Sequence, residues 1–401
     1  MISENVMRSL SIENNRKIIL LVMDGIGDLP QNGKTSLEAA TTPNLDALAA
    51  GSETGLTHPV SMGITPGSGP AHLSLFGYDP LKYDIGRGVL EALGIDFEMT
   101  PQDIAARANF ATIDAQGMIT DRRAGRIPTE KNEEICKFLS KKLQAIEDVK
   151  VFIRSGKEHR FIVVFRGDGL NDAVTDTDPQ KTGLKPIACT SAEPRAEKTA
   201  RIINTFIHEA AGLLERFSPA NFLLLRGISK HPVIPTMKEL FKLTPAAIAT
   251  YPMYRGLARL VGMQILETGK DINSEVETLK RHWGSFDFFY LHIKKTDSCG
   301  EDGAFSEKVA VIEEVDKLLP HIVALKPDCL VITGDHSTPC TMKAHSWHPV
   351  PFMLSSPFVR RDPAIAFTEY ECAKGILGNF GAVNAMPLML AHTLKLRKYG
   401  A

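Results

Sequence analysis

The chain has 401 residues, 43% hydrophobic and 23% charged, with a formal net charge of −1. Those values suit an enzyme-sized globular chain of two domains, or of one large domain carrying an insertion. They exclude the basic field that nucleic-acid binding needs, and no stretch is long and apolar enough to cross a bilayer.

The opening MISENVMRSLSIENNR is too polar for a signal peptide. RKIILLVMDGIGD is an apolar run of strand length that ends at Asp24 and breaks at Gly25 and Gly27. It reads as a buried parallel strand. TTPNLDALAAGS predicts a helix with Thr42 as cap, Pro43 at the first helical position, and Leu45 and Leu48 on one face. ITPGSGPAHLSLFGYDP then sets Ser68 between two glycines, with His72 four residues on. Such a stretch is either an ordinary loop or a sharp turn that exposes one hydroxyl as a nucleophile.

From about Gly94 to Leu225 the pattern changes. NEEICKFLSKKLQAI and AEKTARIINTFIHEAAGLLERF are amphipathic helices, and a short KEH joins the strands DVKVFIRSG and HRFIVVFRG antiparallel. This is expected to be an α+β insertion, with basic loops DRRAGR, SGKEHR and KTGLKP. Beyond it, FDFFYLHI is a strand, FSEKVAVIEEVDKLLPHIVAL a helix, DCLVITGDHS a strand ending at Asp335, and HPVPFMLSS a short strand. The alternation implies an α/β domain with a mostly parallel sheet. The expected domains are residues 1–93 with 226–401, and an insertion at 94–225. The six cysteines form no C-x-x-C pair, so neither a disulfide framework nor a zinc ribbon is indicated, and a cytoplasmic chain is expected.

Acidic and histidine residues cluster just past the strands: Asp24; Asp297 and Glu301; Asp335 and His336; His345 and His348. The carboxyl ends of parallel strands line one edge, and that edge carries the active site. A lone Asp there is often a helix cap, and a lone His a satisfied polar residue; the joint placement points to metal. Oxygen ligands mixed with imidazole suit Mn²⁺, Mg²⁺ or Zn²⁺, and two ions about 3.5–4 Å apart would clamp a phosphoryl group. Adjacent Asp335 and His336 point to different sides of the backbone, so each can serve a different ion. DGIGD begins like a dinucleotide fingerprint, but Pro30 stands where the third glycine is needed.

LLVMDGIGD, TPNLDALA, PGSGPAHLSLFGYDP, HIKKTDSCGEDG, ITGDHSTP and HSWHPVPF together resemble the alkaline phosphatase superfamily. Within it, ITDRRAGRI, SGKEHRFIVVFRG, DTDPQKTG and NFLLLRG resemble the substrate domain of the archaeal-type cofactor-independent phosphoglycerate mutases. The resemblance runs from about Lys17 to the C-terminus. It implies an alkaline-phosphatase-like fold with an inserted α+β domain, and interconversion of 3- and 2-phosphoglycerate through a phosphoserine, without 2,3-bisphosphoglycerate. Ser68 would be the nucleophile and touch one ion, held also by Asp24, Asp335 and His336. Asp297, Glu301 and His345 would hold the second. Related enzymes usually have His at the place of Glu301; a carboxylate there favours Mn²⁺ or Mg²⁺ over Zn²⁺, and Asp302 is an alternative ligand. His345 is preferred to His348 because it stands four residues before Pro349, and His72 is expected to orient the turn by a hydrogen bond. Arg122, Arg126, Arg160, Arg226 and Arg255 are the candidates for gripping the carboxylate and phosphate of the substrate, a small phosphorylated carboxylic acid. The alternative is a phosphohydrolase or phosphotransferase, homoserine-kinase-like, on another small phosphoester. A non-catalytic scaffold would have little reason to retain Ser68 and its acidic and histidine neighbours.

Overall fold

A computed structural model describes residues 3–83 and 85–400. Two compact units emerge, one of Met1–Asp84 with Ile234–Ala401, the other of Ile85–Val233. In chain order the first unit contributes strands β1 (Ile18–Met23) and β2 (Glu53–His58). The second contributes β3 (Asp103–Ile113), β4 (Ile119–Asp121), β5 (Ala145–Ile146), β6 (Val149–Ser155), β7 (Arg160–Arg166) and β8 (Phe222–Lys230). The first then resumes with β9 (Pro245–Ile248), β10 (Gln264–Ile265), β11 (Phe288–Ile293), β12 (Cys329–Thr333), β13 (Val350–Ser355) and β14 (Gly378–Gly381).

The first unit is an eight-stranded mixed sheet in the order β10-β9-β11-β1-β12-β13-β2-β14. Its first five strands run parallel; β13 is antiparallel to both neighbours, and β14 is parallel to β2. β1 lies near the middle with all six residues, IILLVM, buried. That explains an unbroken apolar run where a one-sided strand would alternate. Ile19, Leu21 and Met23 join Phe289 and Leu291 in a core that the helix Phe305–Val323 covers with Val311, Ile312 and Val315. Truncating Leu21 to alanine there would cost about 2–5 kcal/mol. Among the described residues no helix is long and apolar enough to cross a membrane.

The second unit is an antiparallel sheet, β4-β3-β7-β6-β5, with β8 also paired to β3. The β6–β7 hairpin is the one that the KEH connection predicts. Helices Thr129–Lys142 and Glu197–Leu214 contribute Ile135, Leu139 and Phe206, which pack against Phe110, Phe161 and Phe165. The expected boundaries, 93/94 and 225/226, are corrected here. They would cut off the helix Arg87–Gly94 and split β8. Yet β8 pairs with β3 from Phe222 to Lys230, and Gly88 approaches β3 so closely that a Cβ would stand 2.5 Å from the Ala105 carbonyl. Tertiary packing, not composition, assigns both elements to this unit.

Candidate metal centre and nucleophile

The register of the central strands decides where the chemistry sits. Met23 lies beside Ile293, and Val22 beside Thr333. Just past these pairs, the strands release Asp24, Lys294 and Asp335 at one edge. Helix Lys295–Asp302 carries Asp297 and Glu301, and the loop before β13 carries His336, His345 and His348. Two groups of potential ligands form: Asp24 with Asp335 and His336, and Asp297 with His336 and His345, each with its ligand atoms within 4.8 Å of one another. His336 stands in both groups and Asp335 in one. The His336 and His345 rings stack at 3.7 Å. Glu301 stands at the rim, its side chain 55% exposed and its Oε1 3.9 Å from His345 Nε2. His348 pairs through Nδ1 with Ser346 Oγ at 3.0 Å.

Hydrogen bonds assign the tautomers. Thr338 Oγ1 donates its only proton to Asp297 Oδ1, at 2.6 Å. The 3.0 Å contact between His336 Nδ1 and that hydroxyl must then be donated by the imidazole. The Nε2 lone pair is left facing Asp24 Oδ1 at 3.4 Å and Asp335 Oδ2 at 3.2 Å. His345 Nδ1 donates to the Pro66 carbonyl at 2.9 Å, and its Nε2 lies 3.6 Å from Asp297 Oδ1. The His336 lone pair, aimed at two carboxylate oxygens, is repelled by them in the protein alone and converges with them around a cation.

The charges agree. Asp24 Oδ1 and Asp335 Oδ2 are buried oxygens without a hydrogen-bond donor. Burial alone would raise the Asp24 carboxyl, but the Lys294 ammonium, 3.1 Å from Oδ2, and His292, at 3.2 Å, hold it well below its ordinary range. Burial and the Asp24 charge push Asp335 well above its own. Burial holds His336 well below the ordinary imidazole value, which keeps it neutral. Carboxylates and neutral imidazoles with unmet acceptors fit hard or borderline divalent cations. Sequence reasoning missed Lys294, which also donates to Asp297. Its signal was the same strand end, but the search for ligands passed over a lysine.

Ser68 opens the helix Ser68–Leu75, and its Oγ lies 3.3 Å from His336 Nε2. With that nitrogen unprotonated, the hydroxyl is the donor. His72 Nδ1 donates to the Ser68 carbonyl at 2.9 Å, which is the turn-orienting role expected of it. Burial lowers His72 to about 4, so it is neutral at ordinary pH. A Cβ on Gly67 would meet only Pro70 Cδ, at 3.8 Å. Gly25 is more demanding than Gly67. Its φ is +62°, and a Cβ would stand 2.5 Å from Thr338 Oγ1 and 2.7 Å from Asp297 Oδ1. The glycine of DGIGD therefore serves the ligand cluster.

A family model described as 2,3-bisphosphoglycerate-independent phosphoglycerate mutase matches residues 49–220. A probable 2,3-bisphosphoglycerate-independent phosphoglycerate mutase of Thermotoga neapolitana is 58% identical over 388 residues, 97% of this chain and 96% of the relative. Another, of Thermus thermophilus, is 52% identical over 401 residues, 99% of each. The chain belongs to the 2,3-bisphosphoglycerate-independent phosphoglycerate mutases. Among solved structures, the cofactor-independent phosphoglycerate mutase from Thermoplasma acidophilum has a TM-score of 0.74 at 32% identity, covering 94% of this chain and 100% of its own. Members of this family are isomerases, and they work without 2,3-bisphosphoglycerate.

A phosphoglycerate mutase must also handle a carboxylate, and four of the five expected arginines lie in the second unit. Arg122 grips buried Asp178 with Nε at 2.9 Å and Nη2 at 2.6 Å. Arg226 lies 3.8 Å from the same carboxylate and donates to Gln180 Oε1 at 3.1 Å. Arg160 opens β7 opposite Asn109 on β3. Arg126 is exposed and closes a run of three left-handed residues, Ala124 (φ 46°), Gly125 (φ 65°) and Arg126 (φ 53°), braced by Asp121. Non-glycine residues held in that region store about 1–2 kcal/mol each, a pattern found where a loop is shaped for a ligand. Arg255 belongs to the first unit, on the helix Pro252–Leu260, and pairs with Glu267 at 2.7 Å. Arg107 stands opposite Arg226 across β3–β8, shares its face, and pairs with Glu91 at 3.4 Å.

Proposed function

We propose that the mutase reaction runs through a phosphoserine at Ser68, at a two-cation centre. In this reading Asp24, Asp335 and His336 hold one cation with Ser68, and Asp297, Glu301 and His345 hold the other, with Mn²⁺ or Mg²⁺ favoured by the oxygen-rich set. The observation that carries it is the 3.3 Å approach of Ser68 Oγ to His336 Nε2, beside the buried acceptors of both groups. Bound cations would supply positive charge that lowers the hydroxyl pKa and neutralises phosphoryl oxygens. Ser68 Oγ gives up its proton as it attacks the phosphorus of 3-phosphoglycerate, the bond from phosphorus to the C3 oxygen breaks, and that oxygen takes up a proton. Glycerate turns without leaving, its C2 hydroxyl loses a proton as it attacks the phosphorus of phosphoserine, the Oγ–P bond breaks, and Ser68 Oγ takes up a proton. His72 fixes the Ser68 carbonyl, and Lys294 keeps Asp24 ionised. Arg122, Arg126, Arg160, Arg226 and Arg255 are the candidates for gripping the carboxylate and phosphate through charge-assisted hydrogen bonds, with Arg126 the first choice for retaining glycerate.

The test is interconversion of 3- and 2-phosphoglycerate by metal-stripped protein given Mn²⁺ or Mg²⁺, without bisphosphoglycerate, and mass spectrometry for phosphate on Ser68. Isomerisation with phosphate absent from Ser68 overturns the covalent route. Phosphate release outrunning isomerisation favours a phosphohydrolase.

A further inference from the structure

Lys308 is fully buried, charged, and absent from every role described so far. It sits in the first turn of the helix Phe305–Val323, three and four residues before core residues Val311 and Ile312, so it occupies the stripe that faces the sheet. An ammonium taken out of water costs several kcal/mol unless its donors are met. Here two hydrogen bonds go to the Thr338 carbonyl at 3.0 Å and the Gly27 carbonyl at 3.4 Å, and the Asp28 carboxylate, its Oδ2 3.3 Å away, supplies the counter-charge. Those acceptors belong to two loops. Gly27 and Asp28 follow Asp24; Thr338 follows Asp335 and His336. Asp28 ties the loops again, accepting the Cys340 amide at 3.0 Å. On its other side Thr338 orients the ligand cluster, bonding Asp297 at 2.6 Å and His336 at 3.0 Å. An apolar side chain would fill the space without any charge to satisfy, so packing does not explain a lysine.

We propose that Lys308 is a positioning residue for the metal centre: by clamping the Gly27 and Thr338 carbonyls it holds the Asp24 loop and the Thr338 hydroxyl in register with the ligands. The inference rests on the two-cation reading above. Outer-shell partners of metal ligands typically change metal affinity by 10–100-fold. Lys308→Met, titrated with Mn²⁺ while free Mn²⁺ is followed by electron paramagnetic resonance, should show a Kd raised about 10–100-fold. At saturating Mn²⁺ its kcat should fall while the KM for 3-phosphoglycerate stays within about twofold, and Lys308→Arg should recover part of the affinity. Melting curves of the metal-free proteins show separately whether the fold has suffered. A folded Lys308→Met that binds Mn²⁺ with wild-type affinity overturns the proposal. Should that variant not fold, Asp28→Asn, which removes the counter-charge but keeps the amine, is titrated instead, and unchanged Mn²⁺ affinity is equally fatal. Failure of the wild-type protein to bind Mn²⁺ would reject the metal centre itself, a distinct result.

Discussion

Two carboxylate clusters, one in each unit, treat buried charge in opposite ways. In the second, Asp178 is gripped by Arg122 and Asp103 by Arg166, each through two hydrogen bonds of 2.6–2.9 Å. Burial alone would raise Asp178, but the Arg122 bonds hold it below its ordinary value. In the first, Asp24 and Asp335 share one buried edge with unmet oxygens, and Asp335 is driven well up by burial and by its neighbour. Charge satisfied inside the chain builds structure. Charge left unsatisfied stores the free energy that an incoming cation releases.

The largest test acts on the edge itself. Ser68→Ala should lower isomerisation by at least about a thousandfold with an unchanged melting curve; substantial turnover would remove the nucleophile from the comparison. Next, chelation should abolish activity, and Mn²⁺ at a hundred times its Kd should raise stability by about 2.7 kcal/mol. Asp335→Asn should stabilise the metal-free protein while abolishing Mn²⁺ binding, whereas Asp178→Asn should destabilise it by about 1.5–3 kcal/mol with metal affinity intact. Equal stability changes in these two variants would erase the contrast. Arg126→Ala should raise glycerate escape by roughly one to two orders of magnitude, the equivalent of one charged hydrogen bond, seen as a shift from 2-phosphoglycerate toward glycerate plus free phosphate. An unchanged product ratio would deny that arginine a retaining role.

The smallest effect on activity is expected at Glu275, a buried carboxyl of the first unit away from the ligand groups. Burial, with Asp271 and Glu314 nearby, raises it from 4.5 to about 8. The folded protein therefore holds this proton more tightly than the unfolded chain. Its contribution is complete below about pH 4.5 and is lost as pH rises through about 8. Urea melts at pH 5 and 9 should show wild type losing up to about 4 kcal/mol relative to Glu275→Gln, with catalysis unaffected. Parallel pH profiles would show that the carboxyl is not buried uncharged.

Continuous apolar runs made β1, β11 and β12 legible, because strands covered on both faces have no alternation to hide them. Their ends exposed Asp24, Asp297, Asp335, His336 and His345 as one constellation. β3 is not legible in this way: DIAARANFATI is rich in alanine, which suits a helix, and only its neighbours β7 and β8 make it a strand. The domain boundaries failed for the same reason, since the helix Arg87–Gly94 carries no local mark of what it packs against. Lysines mislead further. Lys294 and Lys308 look like surface residues in sequence, and their burial beside carboxylates exists only after the strands align.

β1 is made early and its two partners late. His292, on one flanking strand, follows Asp24 by 268 residues. At about 5–20 residues per second of synthesis, β1 waits roughly 15–50 s for that strand. Throughout this interval six apolar residues with two open edges are available to any passing chain. The strands of the 85–233 unit pair only with one another, so that unit can close during the wait. The order of translation therefore sets the moment of greatest aggregation hazard, and a chaperone that shields β1 on the nascent chain should raise the yield of folded protein more than one acting after release.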